Sequence, residues 1–101
     1  MPAQNWKLTS VTASTDTDLV SASSATTIGS VLMANTSANA ATITITITNS
    51  SNTVLSTLVS AQTVAAGATA QIRNLVLNNT EKLRVNSSQA ATSFTASGWA
   101  D

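Results

Sequence analysis

The sequence predicts an all-β protein, a single small antiparallel β-sandwich of about seven or eight short strands with jelly-roll or immunoglobulin-like connections. Three observations lead there. Apolar and polar residues alternate with a period of two through most of the 101 residues, the signature of half-buried strands. Turn-forming clusters interrupt the alternation every ~8–12 residues, the spacing of sandwiches and small barrels. No stretch carries an apolar stripe at helical spacing; the alanine-rich "SAQTVAAGATAQI" contains Gly67 and several β-branched residues, which favour a turn over a helix.

The segments follow in order. "NWKLTSVT" opens the first strand, with Trp6, Leu8 and Val11 apolar. "ASTDTD" is a polar turn in which Asp16 and Asp18 suit local backbone bonding, and "LVSAS" is a short strand. In "TTIGSVLMANT", Ile28, Val31 and Met33 mark an inward face, and Gly29 suggests a bulge or a close backbone approach. "SANA" is expected to turn that strand into a hairpin with "ATITITITNS". There Ile43, Ile45 and Ile47 alternate with Thr42, Thr44, Thr46 and Thr48. The isoleucines are expected inside and all four threonines outside. Such a strand, without charge or proline, is an aggregation hazard at a sheet edge, so it is expected between two neighbours. "TVLSTLVSAQTV", "TAQIRNLVLN", "KLRVNSS" and "TSFTASGWA" supply the remaining strands, separated by turns at "NSSN", around Gly67, and at "NNTE". One domain, residues 1–101, accounts for the whole chain, with residues 1–8 a candidate N-terminal arm.

Composition narrows function. Only 8% of residues are charged and the formal net charge is zero, against roughly 25% charged in ordinary soluble domains. Serine and threonine, about a third of the chain, supply the polarity. Interface cores are depleted of charge, so one reading is that much of the surface is covered by other subunits. Lys7, Arg73, Lys82 and Arg84 balance four acids and make no basic patch for phosphates, so no nucleic-acid partner is expected. No apolar run approaches the ~20 residues of a membrane-spanning helix, and no membrane association is expected. "MPAQNWKLTS" lacks the apolar segment of a secretory signal, so synthesis in a cytoplasm is expected.

Chemistry is poorly provided for. Without histidine or cysteine the commonest general base, metal ligands and nucleophile pairs are missing. Asp16 and Asp18 make at best a weak hard-cation site, and no acid–base carboxylate pair stands out. No enzyme activity, cofactor or metal site is expected. Four N-x-S/T matches, at Asn35, Asn49, Asn78 and Asn86, are expected by chance in so hydroxyl-rich a chain. The threonine ranks of ice-binding solenoids are not repeated at a fixed period. Trp6 and Trp99 could meet if the first and last strands pair. The candidate contact residues are therefore Trp6, Thr42, Thr44, Thr46, Thr48 and Trp99.

The order of "IGSVLMANTSANAATITITI", "TVAAGATAQIRNLVLNNTEKLRV" and "SFTASGWAD" resembles that of small phage virion proteins. These place a short strand first, then an alternating strand after a polar turn, an "AAG"-like turn, a strand pair, and a Phe-containing strand ending near a glycine. The pieces cover about four-fifths of the chain; "NNTEK" stands where the family usually has a Gly-Asp turn. The resemblance implies a non-enzymatic capsid decoration (cement) protein, or a tail, baseplate or fibre accessory. It would be located in the virion after synthesis in the host cytoplasm. Its partners would be the major capsid protein or other virion subunits, with a homo-oligomer expected. A receptor- or glycan-binding module using Trp6 or Trp99 is the alternative from a different class.

Overall fold

The computed structural model describes residues 3–100. Among them are eight strands and no helix: β1 Ala3–Leu8, β2 Thr17–Ser21, β3 Thr26–Asn35, β4 Ala41–Thr48, β5 Val54–Val64, β6 Thr69–Leu77, β7 Lys82–Ser87 and β8 Thr92–Ala100. They form two antiparallel four-stranded sheets, ordered β1-β8-β3-β6 (sheet A) and β2-β7-β4-β5 (sheet B). β1 pairs with β8, β2 with β7, β3 with β6 and β4 with β5. The chain is thus one long hairpin, tipped at the β4–β5 turn and rolled over on itself. The cross-pairs β3·β8 and β4·β7 close the roll. This is the jelly-roll connection, one of the two expected.

The expected hairpin between β3 and β4 is not formed: β3 lies in sheet A and β4 in sheet B. The intervening loop crosses between the sheets, and Asn35 fixes that crossing. The Asn35 side chain is 1% exposed. Its Nδ2 donates to the carbonyls of Asn39 (2.8 Å), Val64 (3.0 Å) and Ala65 (3.3 Å). Its Oδ1 accepts from the Ser37 N–H (3.1 Å) and hydroxyl (2.7 Å). One amide thereby ties the end of β3, the crossing loop and the end of β5. The backbone adds bonds from Asn35 N–H to the Ala68 carbonyl and from Gly67 N–H to the Asn35 carbonyl, with Gly67 in the left-handed region at φ 74°.

The core lies between the sheets. Ile28, Val31, Met33 and Phe94 of sheet A meet Ile43, Ile45, Leu83 and Val85 of sheet B, all at most 1% exposed. By area transfer each buried Ile stabilises the fold by about 1.5–3 kcal/mol. The spacing Ile28, Val31, Met33 departs from two because β3 bulges at Gly29: Ile28 pairs with Gly98, and Ser30, two residues on, pairs with Ser97. On the other side of β3 the phase is taken up at Asn74, whose φ is 59°, a conformation asparagine tolerates. β2 also shifts register between Asp18 and Val20, and both Leu19 and Val20 are buried.

β4 is an interior strand, as its composition requires, with β7 and β5 as neighbours. Ile43 and Ile45 are fully buried, and Ile47 is half-buried against the core. Among the described residues, every buried side-chain nitrogen or oxygen has a hydrogen-bond partner.

Candidate interaction surfaces

The threonine face of β4 comes first because the sequence singles it out. Thr42 is exposed, and Thr44 and Thr46 are half-exposed. Thr48 corrects the expected pattern: it is 1% exposed and its Oγ1 donates to the Asn49 carbonyl at 3.1 Å. It lies opposite Lys82 of β7 in an unshifted ladder, and on its other side β5 shifts register by one extra residue between Val54 and Ser56. Thr44 is partly engaged as well, its Oγ1 accepting the Ala61 N–H at 3.1 Å. Ala61 has φ 49° and sits where β5 carries extra residues against β4.

The threonine row is charge-free along β4 but not across the sheet. Arg84 lies opposite Thr46, and Asn86 opposite Thr44. Beyond them Asp18 receives Arg84 Nε at 2.7 Å and lies 3.4 Å from Lys82 Nζ. Asp16 Oδ1 accepts from Asn86 at 2.9 Å, its carbonyl from Arg84 at 3.2 Å. Half of the chain's eight charged residues thus sit on the outer face of sheet B. The two aspartates are engaged with cationic and amide side chains there. Among the described residues no group of three or more potential ligands could hold a metal.

The two tryptophans come from strands that do pair, yet they do not meet. Trp6 stands opposite Ala96 and Trp99 opposite Ala3, an odd number of residues apart, so their rings point to opposite faces of sheet A. Trp6 faces inward and packs against the core, half-buried. It borders a cavity of about 210 Å³ with Gln4, Ser21, Ser23 and Thr26. Residues 3–8, within the candidate arm, are β1 itself, paired with β8 along six positions.

Trp99 faces outward and is 45% exposed. Thr27 of β3 is its opposite number on one side, and Val76 of β6 is opposite Thr27 on the next. The row Trp99–Thr27–Val76 therefore crosses three strands. A Cβ on Gly29 would stand 3.7 Å from Trp99 Cζ3, so the bare bulge lies beside the indole. Leu32, also on the outer side, is 43% exposed and Val76 58%. Val54 and Leu55 at the start of β5, 55% and 53% exposed, form a second apolar site. Neither Val76 nor the Val54–Leu55 pair stands out in sequence, because the apolar face of an edge strand reads the same whether or not a neighbouring sheet covers it.

No protein-family model matches the chain, and no curated protein matches its sequence. Solved structures do match. One is a chain of the T13 particle of infectious bursal disease virus, with TM-score 0.52 and 15% identity over 95% of this chain and 30% of that one. Another is a chain of the Gx strain of the same virus, with TM-score 0.47 and 16% identity over 96% of this chain and 33% of that one. The likeness is one of fold, and this chain spans about a third of the length of either viral chain.

Proposed function

We propose that this chain is a non-enzymatic virion structural protein, a phage capsid decoration protein that stabilises the assembled head through protein–protein contacts. The observation that carries this reading is the outer face of sheet A. It presents Trp99, Leu32 and Val76 among hydroxyl and amide side chains, with Lys7 and Arg73 confined to the edge strands. Tryptophan is enriched at the centres of interfaces, and charge is depleted there. The jelly roll shared with a chain of a viral particle and the segment order of phage virion proteins support the same reading. A subunit that binds only the assembled lattice favours that lattice by mass action.

The outer face of sheet B is the wetter of the two, since Asp18, Lys82 and Arg84 would lose hydration on coverage. Thr42, Thr44 and Thr46 are secondary contact candidates on it. The cavity beside Trp6 favours one second reading, a module binding a neutral polyhydroxylated ligand, because among the described residues its lining combines an indole with hydroxyl and amide groups and no charged side chain.

The test is co-sedimentation of Trp99→Ala with purified particles of the virus that encodes the chain. Trp99 is half-exposed, so the variant is expected to fold and to lose attachment. Attachment at the wild-type level overturns this surface, and retention on a glycan array that Trp6→Ala abolishes favours the second reading.

A further inference from the structure

The charges of this chain divide between the two sheets. Asp16, Asp18, Lys82 and Arg84 lie together on the outer face of sheet B, where both ion pairs among the described residues end on Asp18. Glu81, in the turn before β7, accepts the Asn78 N–H at 2.8 Å. The strands of sheet A hold no acid and two cations, Lys7 on β1 and Arg73 on β6, both exposed. Lys7 follows the inward Trp6 and so faces outward, in the row Lys7–Thr95–Leu32–Gln71. Arg73 ends the next row, Asn5–Ser97–Ser30–Arg73, in which the two serine hydroxyls meet at 3.2 Å. Its Nη2 donates to Gln71 Oε1 at 3.5 Å. Neither cation is in an ion pair among the described residues. Three strand spacings across and one row along set them roughly 16 Å apart.

We propose that the outer face of sheet A docks against an acidic protein surface, with carboxylates placed to meet Lys7 and Arg73 on either side of an apolar patch that receives Leu32, Val76 and Trp99. This deepens the proposed role and rests on it. The sign of the charge names the partner. Two uncompensated cations and no acid make the face complementary to negative charge, while a chain of formal net charge zero has no general attraction to anions. A second copy docked face to face is disfavoured, because it brings cations and no carboxylate. A nucleic acid is a poor fit: it repeats its charge every ~1.7–3.4 Å and would find only two cations here, with exposed apolar side chains between them. Guarding of sheet edges accounts for a charge on each edge strand but not for its sign, since on β2 the residue is Asp18.

The experiment follows the rate at which the full chain associates with immobilised particles that lack it, from the virus that the proposed role implies. Raising salt from about 0.05 to about 0.5 M should slow the wild type by about tenfold or more, as steering is screened. Lys7→Gln with Arg73→Gln should slow association about as much at low salt and remove most of the salt dependence. Lys7→Arg with Arg73→Lys should keep both as in the wild type. Lys82→Gln with Arg84→Gln takes the same charge from sheet B and should leave the rate within about twofold at moderate salt. Amidation of the particles' carboxylates with glycinamide should also abolish the salt dependence. A wild-type rate indifferent to salt or to amidation overturns the proposal, and that measurement needs no variant to fold. The Gln pair associating at the wild-type rate overturns it too, including the case in which the pair aggregates, as edge guarding alone predicts. So does heparin, an anionic-polymer probe, capturing the wild type but not the Gln pair while attachment to particles is unchanged. In each of these cases loss of attachment by Trp99→Ala still upholds the proposed role; a wild type that never attaches overturns the role and this inference together.

Discussion

Truncating Asn35 should destabilise this domain more than any other single polar change on the crossing loop. Asn35→Ala removes five hydrogen bonds made by one buried amide. Their loss is uneven. The Asn39 carbonyl keeps the Ser37 hydroxyl at 2.7 Å, so it is not orphaned. The Val64 carbonyl, whose bond from Asn35 is buried, is left without that donor. An orphaned buried acceptor costs about 1–3 kcal/mol, and each remaining lost bond about 0.5–1.5 kcal/mol where water replaces it poorly. Since Ser37 and Ala65 lie nearer solvent and recover part of their share, the sum is about 2–4 kcal/mol. For a chain of this size that lowers Tm by roughly 10–25 °C. Thermal unfolding followed by circular dichroism reads the shift. Asn35→Asp, nearly the same shape, sets a carboxylate oxygen against three carbonyls and should cost more than alanine at neutral pH. A loss below about 0.5 kcal/mol for Asn35→Ala, the range of ordinary surface sites, would refute the clamp.

Three other outcomes are expected. Gly98→Ala should be poorly tolerated, costing about 3 kcal/mol or more, because a Cβ there overlaps the Thr27 carbonyl oxygen and lies 2.9 Å from Ile28 Cα; Gly29→Ala, whose nearest neighbour would be 3.5 Å away, is the control and should unfold within a few degrees of wild type. Ile45→Ala should cost about 2–5 kcal/mol in urea denaturation, since Ile45 is fully buried in an interior strand; an unchanged midpoint would mean that the phase of β4 is wrong. Arg84→Ala should cost no more than about 1 kcal/mol, diminishing with added salt, because its partner Asp18 is 38% exposed; a loss of several kcal/mol at high salt would show that the charged cluster on sheet B is structural.

Local features were legible in the sequence where one residue type carries the geometry. Gly29 marked the bulge, and the uneven spacing of Ile28, Val31 and Met33 agrees with it. Gly67 marked its turn, and Leu83 and Val85 alternate with outward Lys82, Arg84 and Asn86 as their pattern requires. Strand order was not legible, because a period of two tells which face a residue occupies and nothing of which strand lies beside it. The expected β3–β4 hairpin failed for that reason: among the described strands only β4 and β5 are both consecutive and paired. The low exposure of Thr48 was not legible because it depends on the strands beside it, β5 and β7, rather than on the alternation within β4. The sheet B cluster was invisible because Asp18 and Arg84 meet only through the β2·β7 pairing. Asn35 was seen only as a chance N-x-S match, and its clamp depends on carbonyls about thirty residues away.

The most direct test of the proposed role, which takes the chain to be encoded by a virus, is its copy number in purified particles of that virus, by densitometry or quantitative mass spectrometry against the major capsid protein. A decoration protein on a symmetric head should be present at on the order of hundreds of copies, in fixed ratio to the capsid subunit. A handful of copies, or none in complete particles, would contradict it.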